Sequence, residues 1–219
     1  MYLLLIALLI AILDWVAVAK GWRRVETIAK PAVIITLLAW MWSASGLEGY
    51  LVWFALGLVF SLAGDVLLML SDERFTAGLV AFLLAHLAYL AGFNPTWPPV
   101  NLASLALAAL VALVCGQIYR RISAGLRATG QAGLRGPVLA YVLAISLMLL
   151  SALLTLVRPE WAPLPAWLVS GGALLFTFSD SVLAWDKFVA PIHHARVVVM
   201  VTYHLGQALI VVGATLHYQ

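Results

Sequence analysis

The chain has 219 residues, of which 65% are hydrophobic and 10% charged, and its mean hydropathy is +1.07, so it has too little polar surface to cover a water-soluble globule. Its net charge of +3 does not indicate nucleic-acid binding, because the basic residues lie at the ends of apolar segments and in short connections, where membrane orientation explains them. The single cysteine, Cys115, excludes a disulfide framework within the chain and a cysteine-based metal site.

Eight apolar segments follow one another, and each is long enough to cross a hydrocarbon layer of about 30 Å. They lie at 2–19, 27–43, 50–70, 75–92, 99–119, 135–157, 165–187 and 195–216. The first segment lacks a basic start and contains Asp14, so we interpret it as a membrane helix rather than a signal peptide. We therefore predict an all-α membrane protein with eight transmembrane helices in a single domain, residues 1–219.

The distribution of lysine and arginine predicts the orientation of these helices. If the N-terminus is outside, all the lysines and arginines except Arg158 fall on the cytoplasmic side, as the positive-inside rule requires. We expect an integral protein of a bacterial inner (cytoplasmic) membrane, with both termini on the non-cytoplasmic face.

The longest predicted connection, residues 120–134, separates the first four helices from the last four. Gly57 and Gly172 each precede an aspartate by eight residues, at Asp65 and Asp180. This weak echo suggests repeat halves at 1–120 and 134–219, which would be two parallel four-helix repeats related by an axis along the membrane normal.

Three aspartates, Asp14, Asp65 and Asp180, lie inside apolar segments, and the predicted orientation puts all three in the cytoplasmic half. A charged side chain at the centre of a membrane helix costs about 2.5 to 3.5 kcal/mol on insertion scales, so each needs a partner or a function. For Asp14, an ion pair with Lys30 or Lys20 is the structural alternative. A purely interhelical role also stays open for the other two.

Further polar groups occur at middle depth in the fourth and eighth helices. His86 and Tyr89 share one face of helix 4 with several aromatic residues, and Tyr203 and Gln207 share one face of helix 8. If these faces point inward, the bundle encloses a cavity with carboxylates at its cytoplasmic end and an apolar, aromatic upper part. Packing or interhelical hydrogen bonds explain the same residues equally well.

Metal and cofactor motifs are not apparent in the sequence. No helix carries paired histidines at zinc-binding spacing, and no nucleophile elbow, P-loop or dinucleotide fingerprint is present. We predict neither a metal site nor a cofactor. The remaining metal alternative is a zinc site that gathers His86, His204, Asp65 and Asp180.

Several short motifs together resemble the YhhN-like lysoplasmalogenases, over roughly residues 14 to 213. In the first half they are Lys30-Pro31, Gly64-Asp65-Val66-Leu67-Leu68, Phe75-Thr76-Ala77-Gly78-Leu79, Phe82, His86 and Tyr89. In the second half they are Gly171-Gly172-Ala173, Phe176, Ser179-Asp180-Ser181, Ala184, Lys187-Phe188, Tyr203, Gln207, Leu209 and Ile210. The resemblance implies a membrane hydrolase that cleaves the vinyl ether bond of a lysoplasmalogen, which gives a fatty aldehyde and a glycerophosphoethanolamine or glycerophosphocholine. Its partners would be this lysophospholipid and membrane lipid, without nucleic acid.

Vinyl ether hydrolysis begins with protonation of a carbon atom, which requires a general acid, and a second carboxylate can stabilise the resulting cation and activate water. A low-dielectric bundle favours the protonated form of a carboxyl group. We therefore predict that Asp65 and Asp180 form the catalytic pair toward the cytoplasmic side, without assigning which is the acid.

The remaining candidate residues are predicted to bind substrate, with the alkyl tail lying in the aromatic part of the cavity. They are Lys30, His86, Tyr89, Tyr203, Gln207 and Asp14. Lys30 is predicted to meet the phosphate, and the basic positions Arg74 and Lys187 near the same surface are alternatives for this contact. The alternative function is a small proton-coupled lipid or solute transporter, since buried carboxylates and repeats occur there too. A non-catalytic scaffold would leave the aspartate pair unexplained.

Overall fold

The computed structural model describes residues 2–70 and 74–219, which form eight long helices. They are α1 (Tyr2–Lys20), α2 (Arg23–Ser45), α3 (Leu51–Leu70), α4 (Phe75–Phe93), α5 (Leu102–Ala128), α6 (Arg135–Leu154), α7 (Pro163–Phe188) and α8 (Ala195–Tyr218). All eight are long and apolar enough to span a membrane, and no strand occurs in the described ranges. The predicted all-α membrane architecture is confirmed. Asp72, which the helical period would place on the same face as Asp65, lies outside the described residues.

Helix α5 differs from the prediction, because residues 120–134 are mostly helical rather than a loop. The helix continues to Ala128, and the chain turns only near Gly130, which has a φ of 74°. Arg120 and Arg121 favour helix, and no proline or left-handed glycine interrupts the chain before Gly130. The end of the apolar run therefore marks the end of the hydrocarbon crossing, not the end of the helix.

Successive helices run in alternating directions, as contacts at both ends of the bundle indicate. At one end the starts of α2 and α8 meet, where Arg196 Nη2 lies 2.6 Å from Glu26 Oε1. At the other end the Tyr218 hydroxyl of α8 donates to the Gly92 carbonyl of α4 at 2.8 Å. We call the end at which α2, α4, α6 and α8 begin the basic end. Its assignment to the cytoplasm stays a prediction.

The two glycines of the sequence echo both lie at close helix crossings. A Cβ atom on Gly57 would lie 2.2 Å from the Tyr89 ring of α4, and one on Gly172 would lie 2.7 Å from the Ile210 backbone nitrogen of α8. Small residues permit such close approach between membrane helices. Helix α3 thus packs on α4, and α7 on α8. The repeat itself stays a prediction.

The bundle interior away from the basic end is filled by aromatic rings. Phe54, Tyr89, Phe93 and Phe176 are fully buried there, and the Phe54 and Phe93 ring centroids lie 5.0 Å apart. Gly92 allows this packing, because a Cβ at that position would lie 2.5 Å from the Phe54 ring. The expected apolar upper part of a cavity is therefore closed by side chains.

Candidate active site

A cavity of about 530 Å³ opens at the basic end between α2, α3, α7 and α8. Its lining includes both Asp65 of α3 and Asp180 of α7, together with apolar side chains such as Phe82. The charged lining residues are Arg23, Glu26, Lys30, Asp65, Asp180, Asp186 and Arg196. The structure thus brings the two predicted catalytic aspartates to one space, from two helices that are far apart in sequence.

Asp65 lies in the buried wall of this cavity, with 1% of its side chain exposed. The Lys30 ammonium lies 2.9 Å from its Oδ1, and the Tyr203 hydroxyl donates to its Oδ2 at 2.7 Å. The two groups thus form a buried ion pair that joins α2 to α3. Two predicted substrate-binding residues, Lys30 and Tyr203, are therefore direct partners of Asp65 and line the same cavity.

Asp180 has different partners and is more accessible, with 15% of its side chain exposed. The Tyr141 hydroxyl of α6 donates to its Oδ2, and His86 Nε2 of α4 lies 3.2 Å from the same oxygen. His86 Nε2 is also 3.0 Å from the Tyr141 oxygen, so the three groups form a triangle. Asp180 Oδ1 makes no hydrogen bond within the described residues. One oxygen of this carboxyl is thus held in place while the other is available to a ligand.

Tyr89 and Gln207 belong to a buried network behind the cavity. The Tyr89 hydroxyl donates to Gln207 Oε1, and Gln207 Nε2 donates to the Ser61 hydroxyl at 2.8 Å. All three side chains are fully buried, and none of them lines the cavity. This network joins α3, α4 and α8 and holds Asp65 and Tyr203 in register from behind.

Asp14 is the one predicted substrate-binding residue that lies apart from the other candidates. Its carboxyl on α1 is fully buried and makes no hydrogen bond within the described residues. Its Oδ2 lies 3.9 Å from His204 Nδ1, which also accepts a hydrogen bond from the Trp15 indole at 3.2 Å. Asp14 is not among the residues that line the cavity, whereas Lys30 is.

The zinc alternative is not assembled. Within residues 2–70 and 74–219, no three His, Cys, Asp or Glu side chains converge as metal ligands. His86 contacts Asp180, whereas His204 lies near Asp14, so the four ligands of that alternative are divided between different clusters.

Sequence reasoning missed Tyr141, the direct partner of Asp180. Tyr141 lies three residues after Val138 and four before Ile145, and all three are buried. A phenol at that spacing on the buried face of a membrane helix is the signal that would have identified it.

A second omission is the pair of arginines at the cavity mouth, Arg23 and Arg196. Arg196 Nη2 lies 2.6 and 2.7 Å from the two Glu26 oxygens, and Arg23 lines the cavity beside them. Arg23 and Arg196 lie 173 residues apart in the sequence, so only the tertiary structure brings them together.

Comparisons with known proteins identify the family of the chain. The model of the YhhN family matches residues 25–214. Lysoplasmalogenase TMEM86B of Mus musculus is 35% identical over 202 residues, which is 91% of this chain and 79% of the mouse protein. The human TMEM86B lysoplasmalogenase is 34% identical over 183 residues, covering 83% of this chain and 71% of its own length. A lysoplasmalogenase of Mycobacterium bovis is 31% identical over 168 residues, 74% of this chain and 59% of the relative. No solved structure matches the chain significantly.

Proposed function

This chain belongs to the YhhN family, and on that premise we propose that it is a lysoplasmalogenase that hydrolyses the vinyl ether bond of its substrate at the cavity of the basic end. Relatives named lysoplasmalogenase at 31% to 35% identity support the activity. The observation that carries the proposal is that two carboxyl groups from different helices, Asp65 and Asp180, line one cavity in unlike surroundings.

Asp180 is the general acid in this proposal. When protonated on Oδ1, it donates that proton to the β-carbon of the vinyl ether, while Oδ2 accepts hydrogen bonds from Tyr141 and His86. The C=C bond electrons form the new C–H bond, and the ether carbon becomes an oxocarbenium ion. Asp180 is suited to this step because it is the more accessible carboxyl and its Oδ1 makes no hydrogen bond to residues 2–70 or 74–219.

Asp65 is the negative charge that stabilises the cation. The Lys30 ammonium lies 2.9 Å from its Oδ1 as the opposite charge of a buried ion pair, and the Tyr203 hydroxyl fixes its orientation by donating to Oδ2. A preorganised charge in a dry site stabilises a developing opposite charge without reorganising solvent at the moment of reaction. The same division between an acid and a charge-stabilising carboxylate operates in glycoside hydrolysis, which passes through a similar cation.

Water completes the reaction. It adds to the oxocarbenium carbon and gives a proton to the carboxylate left on Asp180, which restores the acid. The hemiacetal then loses its glyceryl oxygen as an alcohol, which takes up the hydroxyl proton of the hemiacetal. The products are a fatty aldehyde and a glycerophosphoethanolamine or glycerophosphocholine, and the sum is one vinyl ether plus one water.

Arg23 and Arg196 at the cavity mouth are the groups that meet the substrate phosphate. Both line the cavity, and guanidinium groups bind phosphate with charge-assisted hydrogen bonds. Arg196 is paired with Glu26, but 57% of its side chain is exposed, whereas Lys30, which the sequence analysis assigned to the phosphate, is 7% exposed and held by Asp65.

The decisive experiment incubates the purified protein with a lysoplasmalogen and measures aldehyde release. We expect turnover in detergent micelles with no added cofactor. Absence of aldehyde, together with proton-coupled uptake of the lipid in reconstituted vesicles, would replace the hydrolase with the transporter alternative.

A further inference from the structure

A second, narrow compartment lies beside the polar cavity, between α4, α5, α6 and α7. Its volume is about 70 Å³, and aliphatic and aromatic side chains line nearly all of it. Three of its walls are formed by α5, α6 and α7, which contribute Ile122, Val138 and Ala184 respectively. We call this compartment the apolar slot.

The apolar slot and the polar cavity meet at Asp180. Leu68, Phe82, Asp180 and Leu183 line both compartments. The slot contains few polar groups, of which Tyr141 and Asp180 belong to the catalytic triangle. The carboxyl group therefore stands at the boundary between a charged compartment and an apolar one.

We propose that the apolar slot holds the first part of the substrate's alkyl tail, so that the enol ether, where tail meets head group, lies against Asp180. This inference rests on the proposed hydrolase function. A lysophospholipid has one alkyl chain joined to a polar glycerophosphate, and an apolar compartment that meets a charged one at Asp180 matches these two parts. The tail lies against α5 and α6, and not in the aromatic interior where the sequence analysis expected it.

The slot acts by alignment rather than by a gain in hydrophobic burial. Lipid tails outside the protein are as apolar as the slot, so moving the chain into it yields little transfer free energy. The narrow walls instead restrict the direction in which the chain leaves the enol ether, and this fixes the β-carbon in front of Asp180 Oδ1. A tail that cannot enter the slot should still partition into the membrane but should react slowly.

The test compares long and short tails in variants that fill the slot. Ala184→Phe narrows it one helical turn from Asp180, and Val138→Phe narrows it from the α6 wall. Ala112→Phe on the lipid-exposed face of α5 is the matched control. We expect kcat/KM for a hexadecenyl lysoplasmalogen to fall about tenfold or more in both slot variants, through misalignment of the reacting bond, while a propenyl homologue reacts as in the wild type. Equal losses for both substrates, or no loss for either, would overturn the slot assignment.

A second measurement separates this inference from the proposed function. The probe is a lysophospholipid with a saturated alkyl ether, which the proposed chemistry does not cleave, and with a diazirine near the middle of its alkyl chain. It is photolysed in the presence of the wild-type protein. Adducts at Ile122 and Val138 would support the slot even if no aldehyde forms from the vinyl ether. Adducts confined to lipid-exposed residues such as Leu105 and Leu113 would exclude it even if hydrolysis is observed.

Discussion

Lys30 of α2 and Asp65 of α3 form an ion pair of 2.9 Å inside the helix bundle, with 7% and 1% of their side chains exposed. Removal of one partner from a buried pair leaves an uncompensated charge, which costs about 3 to 5 kcal/mol. We therefore expect Lys30→Met to lower the unfolding free energy by roughly that amount. Thermal unfolding in detergent micelles, followed by near-UV circular dichroism, measures the loss.

The double variant Lys30→Met/Asp65→Asn is the control for this prediction. It replaces both charges with neutral groups, so most of the stability lost in Lys30→Met should return, whereas turnover should not. Coupled residues are expected to give non-additive free energies in such a cycle. A double variant that is less stable than either single variant would contradict the ion pair's role.

Asp180 and Tyr141 give a prediction about chemistry. Asp180→Asn removes the proposed acid and should lower turnover at least about a hundredfold, which corresponds to about 2.7 kcal/mol of transition-state stabilisation. Asp65→Asn should have a loss of similar size, because the cation then lacks its counter-charge. Tyr141→Phe keeps the ring but removes the hydroxyl that donates to Asp180, so a smaller loss of about tenfold is expected.

Aldehyde release under saturating substrate measures these losses, and Glu48→Gln at the opposite, exposed end is the matched control. Each variant must elute as a folded protein and retain binding of the lipid. Wild-type turnover in Asp180→Asn would remove this residue from the mechanism.

The number and type of the helices could be predicted from the sequence because a membrane fixes the length of each apolar run. The end of α5 could not, since Arg120 and Arg121 end the apolar run without ending the helix. Charge marks the water boundary, whereas helix termination requires a turn residue, which here is Gly130.

Part of the site could also be predicted from the sequence, because the membrane makes buried charges conspicuous. Asp65 and Asp180 are conspicuous because a carboxyl inside a membrane helix is costly. Asp14 has the same signal but is buried against His204, away from the cavity. Whether such a carboxyl group faces a cavity depends on the rotation of its helix about its own axis. That rotation cannot be predicted well from the sequence, because a helix that is apolar on all sides shows little periodicity of polar and apolar residues.

Tyr203 and Tyr89 provide a matched pair of buried phenols with different expected roles. Tyr203 lines the cavity and donates to Asp65, whereas Tyr89 donates to Gln207 in the network behind it. Tyr203→Phe should therefore lower kcat, and Tyr89→Phe should lower stability by about 1 to 3 kcal/mol, because it leaves the amide oxygen unpaired.

The kinetic readout for this pair is kcat at equal amounts of folded protein, with the unfolding free energy determined in parallel. We expect kcat of Tyr89→Phe to stay within about threefold of the wild type, since its hydroxyl donates to Gln207 and Tyr89 is not among the residues that line the cavity. A larger fall in kcat for Tyr89→Phe than for Tyr203→Phe would reverse the assignment of the two phenols.

Gly172 and Gly171 test whether the α7–α8 crossing positions Asp180. A Cβ on Gly172 would lie 2.7 Å from the Ile210 nitrogen and 2.8 Å from the Gly206 carbonyl oxygen, and these backbone atoms cannot move aside without separating the helices. A Cβ on Gly171 meets nothing within 4 Å. We expect Gly172→Ala to destabilise the protein by about 1 to 3 kcal/mol through overpacking. Gly171→Ala should instead stabilise it by roughly 0.5 to 1 kcal/mol, because alanine is the better helix former.

The two glycine variants should also differ in catalysis. Asp180 lies on α7 about two turns beyond Gly172, so a helix pushed away from α8 carries the carboxyl out of its triangle with Tyr141 and His86. Turnover should thus fall in Gly172→Ala at temperatures where the variant is still fully folded, and it should be unchanged in Gly171→Ala. Since the two positions are adjacent and the substitution is the same, equal stability and equal turnover in both variants would mean that the close crossing does not determine where Asp180 sits.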